Sequence, residues 1–227
     1  MIDFLCHEER FGHPPAKVGL VFGNNMTPDK DNYCQDLAKQ LGLKLIGAYR
    51  DYNKNPYFGP DHYERAHAVL EEMYRTNING ELSISQFTRD DFVCPHTPLS
   101  DGSGLRGIIP VIDSLLQMRT TGVGLLIICP EYCLNPGVQM SLMDSVFANS
   151  TYKTPVVLSS HSECLDMRTR RRIRDGTLSS GAVTIRAFDR DGDLGFYPYD
   201  NDGDRTIKSL PGCLGSDVRL KEVLGDF

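Results

Sequence analysis

The chain has no tryptophan, no excess of basic residues and no apolar run near the roughly 20 residues that span a bilayer. We therefore expect no membrane partner. The opening stretch, MIDFLCHEERFGH, is too polar and too acidic for an export signal, which makes a cytoplasmic location the expectation. The 227 residues carry a net charge of −6, which argues against generic binding of nucleic acid because neutralising phosphates requires excess Lys and Arg.

The cysteines lack the spacing of a disulfide framework or of a zinc finger. Their number is odd, they are scattered, and reduced thiols are expected in a chain without an export signal. The pair Cys129 and Cys133 encloses three residues, and no second pair completes a finger or ribbon. The sequence predicts no metal site and no cofactor. The seven are Cys6, Cys34, Cys94, Cys129, Cys133, Cys164 and Cys213.

Short apolar runs alternate with helical patterns over residues 17–175. Such alternation predicts an α/β domain with a three-layer, mostly parallel sheet, in which the first two strands form a parallel pair. Residues 1–16 are predicted to form an N-terminal arm. Strands are predicted at 17–22, 43–49, 80–87, 123–129 and 154–160, and helices at 27–42, 61–77, 105–122, 138–150 and 162–176.

Residues 176–227 are predicted to form a separate small antiparallel β meander and a C-terminal tail. The segments AVTIRAF, LGFYPY and RTIKS are divided by turns that contain Asp and Gly. Four aspartates there match positions 1, 3, 5 and 12 of an EF-hand loop, but Leu194 replaces the glycine that its sharp turn needs. A hairpin turn is therefore favoured over a calcium site. The four are Asp189, Asp191, Asp193 and Asp200.

Polar residues follow three of the predicted parallel strands, at the edge where ligands bind in such sheets. The stretch GNNMTPD contains neither GxGxxG nor GxxxxGK[ST], so a phosphate loop is not predicted. Glu131 and His161 could form a general base and its orienting group, or Cys133 and His161 could form a nucleophilic pair. The favoured interpretation is that Glu131 is a solvated residue at a strand end. The candidate pocket comprises Asn24, Asn25, Thr27, Glu131, Asn135 and His161, with no catalytic role assigned.

Five arginines lie within seven residues of the last predicted helix. Guanidinium groups at that density are candidate contacts for DNA phosphates, although most charge runs are solvated helix faces. A helical placement spreads them around much of the circumference. The five are Arg168, Arg170, Arg171, Arg172 and Arg174.

The stretches KVGLVFGNNMTPDKDNYCQDLAKQLG and VGLLIICPEYCLNPG, with the order of elements over 17–175, resemble the catalytic domain of serine recombinases of the resolvase/invertase family. The family's first loop reads aromatic-x-Arg-x-Ser-Thr, and its second motif reads Asp-Arg-Leu-x-Arg. In the first loop Phe22 fits, Asn24 replaces the arginine and Met26 replaces the nucleophilic serine. In the second motif Glu131 keeps an acid, whereas Tyr132 and Asn135 stand in place of the arginines.

The resemblance implies a resolvase-like fold, DNA as a partner, and dimerisation through the helix after the last strand. It also implies that strand exchange is lost, because methionine cannot attack phosphorus and asparagine cannot supply the charge of a guanidinium group. The first functional expectation is thus a recombination-related pseudoenzyme that acts by binding DNA or a partner. The second expectation is an enzyme for a small anionic or nucleotide ligand, with its pocket at the carboxyl ends of the strands.

Overall fold

A computed structural model describes residues 16–23, 28–47, 103–131, 134, 136–189 and 192–204. These residues form one six-stranded sheet, four α-helices and a short 3₁₀ turn at Ser180–Ala182. None of the described helices has the length and apolar character to cross a membrane. In chain order the elements are β1 (Val18–Gly23), α1 (Pro28–Leu41), β2 (Lys44–Gly47), α2 (Ser103–Thr121), β3 (Leu125–Ile128), α3 (Pro136–Asn149), β4 (Val156–Ser160), α4 (Glu163–Arg174), β5 (Val183–Asp189) and β6 (Gly192–Pro198).

The strands lie in the order β2-β3-β4-β1-β5-β6, parallel except for β6, which is antiparallel to β5. The predicted mixed α/β class with a mostly parallel sheet is confirmed. The predicted pairing of the first two strands is wrong, because β3 and β4 lie between β1 and β2. β1 instead lies at the interior of the sheet, where Leu20 pairs with Leu158 on one side and Ile185 on the other.

Two hydrophobic clusters lie on the opposite faces of this sheet. Val18, Leu20 and Phe22 of β1 belong to the larger cluster, together with apolar residues of α2, α3 and α4. Val21, on the alternate side of β1, belongs to the smaller cluster with Leu37 of α1. Side chains of successive strand residues point to opposite faces. Burial of both faces therefore explains why the strands read as continuous apolar runs without polar alternation.

The carboxyl end of β1 is packed so closely that only glycine fits there. A Cβ atom on Gly23 would lie 2.8 Å from the backbone oxygen of Phe188 and 3.3 Å from Cδ of Lys30. Both distances are shorter than ordinary van der Waals contact. Gly23 therefore allows β5 and the first turn of α1 to approach the end of β1 from two sides.

The C-terminal strands belong to the main sheet and do not form a separate unit within the described residues. Residues 183–188 of β5 pair in parallel with residues 18–23 of β1. The boundary at residue 176 thus does not separate two sheets. The predicted antiparallel hairpin is confirmed, since β5 pairs with β6 and Asp189 lies opposite Gly192. RTIKS, the helix at 61–77, the strand at 80–87 and nearly all of the N-terminal arm lie outside the described residues.

Candidate functional site

The ends of β1, β3 and β4 meet at one edge of the sheet, and a buried lysine joins two of them. Lys30, in the first turn of α1, has an exposed fraction of only 1%. Its Nζ atom donates to the backbone oxygen of Gly23 at 3.1 Å and to that of Ser160 at 3.3 Å. The same atom lies 3.2 Å from Nε2 of His161. An ammonium group has three donors, so Lys30 is fully hydrogen-bonded and fastens the end of β1 to the end of β4.

Glu131 and His161 form a second link across this edge, from the residues after β3 to the residues after β4. Oε1 of Glu131 accepts a hydrogen bond from the backbone N–H of His161 at 2.7 Å and lies 3.3 Å from Nδ1 of its ring. Their side chains are 12% and 20% exposed. The favoured expectation of a solvated Glu131 is therefore wrong, because the backbone turn after β4 offers the carboxylate a donor.

The contacts of the His161 ring fit one tautomer, in which Nδ1 donates to Oε1 of Glu131 and Nε2 accepts from the ammonium group of Lys30. Lys30, His161 and Glu131 thus form one chain. The other carboxylate oxygen, Oε2 of Glu131, is buried and has no hydrogen-bond partner among the described residues. A buried acceptor without a partner is costly.

Cys129, directly after β3, has an unusual backbone conformation. Its φ is +50°, and it is the one described residue other than glycine with a positive φ. Its backbone N–H donates to the oxygen of Ser159 at 2.8 Å, which holds this turn against β4. Strained conformations of this kind cost about 1–3 kcal/mol and cluster at functional sites. The thiol is half-buried, and Sγ lies within 4.8 Å of the Glu131 and His161 ligand atoms.

Burial sets the charge states around this thiol. Loss of hydration lowers the pKa of Lys30, while attraction to Cys129 and Glu131 opposes that shift. Burial raises the pKa of Cys34, one helical turn from Lys30, to about 11 and also raises the pKa of Cys164. Both of those residues are buried thiols at neutral pH. Cys129 is the described cysteine that solvent reaches.

A buried glutamine fixes the loop after β3 to the start of α4. The side-chain amide of Gln139 donates to the backbone oxygen of Leu134 at 2.8 Å, and its oxygen accepts from the hydroxyl of Ser162. Ser162 in turn caps α4 by accepting from the N–H of Cys164 at 3.1 Å. These bonds fix the backbone at Leu134, after Glu131, and at Ser162, after His161.

The structure brings together only part of the predicted pocket. Glu131 and His161 are in contact, as a base with its orienting group would be, whereas Asn24, Asn25, Thr27, Asn135 and Cys133 lie outside the described residues. Sequence reasoning missed two residues, Lys30 and Cys129. Lys30 precedes Cys34 and Leu37 by four and seven residues, so a charge on the apolar face of a helix was its signal. No sequence signal marks the positive φ of Cys129.

The five predicted DNA-contacting arginines all lie on α4, and each forms an ion pair with an acidic residue of the chain itself. Arg168 and Arg172 pair with Asp144 of α3 at 2.5 and 2.9 Å. Arg170 and Arg174 pair with Asp204 at 2.6 and 3.7 Å. Arg171 is about half exposed and lies 3.7 Å from Asp175. DNA binding by this helix stays a prediction, and the ion pairs compete with phosphate for the guanidinium groups.

Dimerisation through α4 likewise stays a prediction. Leu165 and Ile173, two apolar residues of α4, are buried in the larger hydrophobic cluster. They are therefore already used within the chain.

Comparison of the chain with models of protein families, with curated proteins and with solved structures finds no match.

Proposed function

We propose that this protein is an enzyme for a small anionic molecule, with Cys129 as its nucleophile. The observation that carries the proposal is the strained backbone of Cys129 at the end of β3, beside the hydrogen-bonded pair of His161 and Glu131. A nucleophile on a strained turn between a strand and a helix, next to an imidazole and a carboxylate, is a recurring design for attack on carbonyl carbon.

Each side chain of the site has a defined role in such a reaction. The thiol of Cys129 passes its proton to Nε2 of His161, while its sulfur forms a bond to the carbonyl carbon of the substrate. The bond from that carbon to the leaving group then breaks, and the leaving group takes the proton from His161. Water next attacks the thioester carbon and gives a proton to His161, the bond from carbon to sulfur breaks, and the sulfur of Cys129 takes that proton back. Glu131 orients the ring through Nδ1, as the carboxylate of a triad does.

Lys30 supports this reaction without touching the substrate, because it is 1% exposed. Its positive charge attracts an ionised Cys129, and a nearby cation favours the thiolate form. When Nε2 of His161 takes the proton, Lys30 keeps its bonds to Gly23 and Ser160. The repulsion between the two positive charges favours passing the proton on to the leaving group.

The expectation of an anionic substrate is supported by the helices around the site. α1, α3 and α4 follow β1, β3 and β4, so their N-termini lie at the edge where the strands end. The N-terminus of a helix carries partial positive charge and unpaired N–H groups. Three such ends at this edge of the sheet favour a negatively charged molecule, although acidic residues in the first turns of α1 and α4 reduce that effect.

The proposal is tested with small carboxylate-bearing esters and thioesters as substrates. Mass spectrometry should find a covalent adduct on Cys129, and Cys129→Ser should lower turnover by at least about 10³-fold, as loss of a nucleophile does. Cys164→Ser is the matched control, because Cys164 is a buried thiol in α4. Turnover that survives in Cys129→Ser refutes the role of this thiol. Alkylation of Cys129 by iodoacetamide at only the rate of free cysteine also refutes it.

A further inference from the structure

We propose that Cys129, Glu131 and His161 also bind a thiophilic divalent cation, Zn²⁺ above all, which blocks the thiol. Cation binding stands on the geometry alone, whereas the resulting inhibition rests on the proposed function. Sulfur, oxygen and nitrogen ligands from these three residues form a set that suits zinc and leaves a fourth position open. Hard cations such as Mg²⁺ and Ca²⁺ prefer oxygen alone.

The distances place two of the three ligands at the correct separation. Nδ1 of His161 and Oε1 of Glu131 lie 3.3 Å apart. Two such ligands, each at about 2.0–2.1 Å from one tetrahedral zinc ion, are separated by roughly 3.3–3.4 Å. Sγ of Cys129 lies within 4.8 Å of both groups. A shift of about 1 Å by the sulfur therefore completes the set, because its separation from a nitrogen on the same ion is about 3.5 Å.

The charges of the site also fit a cation. When the ion is bound, the thiolate of Cys129 and the carboxylate of Glu131 supply two negative charges against the single positive charge of Lys30. Oε2 of Glu131 is buried without a hydrogen-bond partner among the described residues. A cation beside this carboxylate would satisfy that oxygen as well. The charges therefore favour a positively charged ligand at the position that the ligand distances also indicate.

Binding of the cation requires a defined rearrangement of protons. The thiol of Cys129 releases its proton to solvent, since only the thiolate is a metal ligand. The ring proton of His161 moves from Nδ1 to Nε2, which leaves Nδ1 free to bind the ion. Nε2 then no longer accepts from Lys30, which keeps its bonds to Gly23 and Ser160. We therefore expect the release of about one proton per bound ion.

Titration of the chelator-treated full chain with Zn²⁺ and Co²⁺ tests this site. We expect Co²⁺ to give a sulfur-to-cobalt charge-transfer band. Cys129→Ser, Glu131→Gln and His161→Asn should each weaken binding of one ion by about 10–100-fold or more, whereas Cys164→Ser should not. Calorimetry in buffers of different ionisation enthalpy measures the proton released. Thermal melts of every variant establish that each is folded. A wild-type chain that binds no more ions than Cys129→Ser overturns the proposal.

The failure of this inference can be told apart from the failure of the proposed function. The cation site alone is overturned if Cys129 is alkylated rapidly in metal-free protein but wild type binds no more zinc than Cys129→Ser. Slow alkylation together with tight zinc binding overturns only the nucleophile. If both hold, Zn²⁺ should protect Cys129 from iodoacetamide, and a chelator should restore labelling. Labelling at an unchanged rate in saturating Zn²⁺ overturns the inhibitory role.

Discussion

The substitution Asp144→Asn tests both the packing of α4 and the predicted function of its arginines. Oδ1 of Asp144 accepts from Nε of Arg168 and from Nε of Arg172, each at 2.9 Å. Its Oδ2 accepts from Nη2 of Arg168 at 2.5 Å. Burial alone would raise the pKa of the Asp144 carboxyl, but the bonds from both arginines outweigh it and hold that pKa below its usual range. This one carboxylate thus links α3 to α4.

The size of the effect follows from these three bonds and from their exposure. Hydrogen bonds to charged groups contribute about 1.5–3 kcal/mol when buried, whereas exposed ion pairs contribute about 0.2–1 kcal/mol. The Asp144 side chain is 27% exposed, and those of Arg168 and Arg172 are 22% and 34% exposed. Screening by solvent therefore reduces the sum strongly. Asparagine also keeps one acceptor, so we expect Asp144→Asn to lower the free energy of unfolding by about 1–3 kcal/mol.

Denaturant unfolding of both proteins between pH 7 and pH 3 measures this difference. The native pKa of Asp144 lies below its unfolded value, so its contribution is full above the unfolded pKa and is lost as pH falls through the native pKa. The stability gap between wild type and Asp144→Asn should therefore be largest near pH 7 and shrink at acidic pH. Asp175→Asn is the control, because its pairing with Arg171 is exposed and should change stability little. A gap that is absent at pH 7, or that is equally large at pH 3, refutes the reasoning.

The same variant decides whether the arginines of α4 contact DNA. Asp144→Asn releases Arg168 and Arg172, so a DNA-binding helix should gain affinity and a steeper salt dependence. Replacement of all five arginines by alanine should abolish that binding. A gel shift at low salt without any bound DNA ends the DNA prediction and leaves the small-molecule proposal. Nicking of supercoiled DNA through a covalent protein adduct would contradict the expected loss of strand exchange.

Three further predictions concern stability. Gly203→Ala should cost several kcal/mol, because φ is +74° and the new Cβ would lie 2.4 Å from a backbone oxygen of α4. Gly176→Ala, with φ +69° and open space, should cost only about 1–2 kcal/mol, and equal losses in thermal melts would contradict the clash. Tyr199→Phe removes a 2.8 Å hydrogen bond to the buried Asp166 and should lower the free energy of unfolding by about 1–3 kcal/mol. Denaturant unfolding measures this change, and an unchanged free energy would contradict a stabilising role of the bond. Burial lowers the pKa of Lys30, so the folded protein loses this proton before the unfolded chain does. The stability of wild type relative to Lys30→Met should therefore rise with pH between the lowered native pKa of Lys30 and 10.5, and a flat difference in that range would contradict the lowered pKa.

The described strands could be predicted from the sequence, whereas their order could not. Runs such as LLII of β3 are buried on both faces, and that burial leaves a clear apolar signal. Strand order depends on which helix covers which face, and neighbouring residues do not encode that choice. The segment between β5 and β6 has the local signature of a hairpin, and that signature favours a separate meander for β5. Its parallel pairing with β1 joins residues far apart in the chain and leaves no local mark.

The candidate site was predictable only where it follows the general geometry of parallel sheets. Glu131 and His161 were found because both come directly after strands, and the ends of parallel strands share one edge. Lys30 was missed because its role depends on two backbone oxygens and an imidazole that the fold brings to it. Cys129 has no sequence signal, because a positive φ at a residue other than glycine leaves no mark in the residue pattern.

The interior position of β1 has a consequence for the synthesis of the chain. Val18 forms its pairs with Val156 of β4 and with Val183 of β5. At translation rates of about 5–20 residues per second, the second partner leaves the ribosome roughly 10–30 s after β1 does. One edge of this buried, apolar strand lacks its native partner until β4 is synthesised, and the other lacks its partner until β5 is synthesised. Native pairing of β1 therefore waits for the synthesis of most of the described chain.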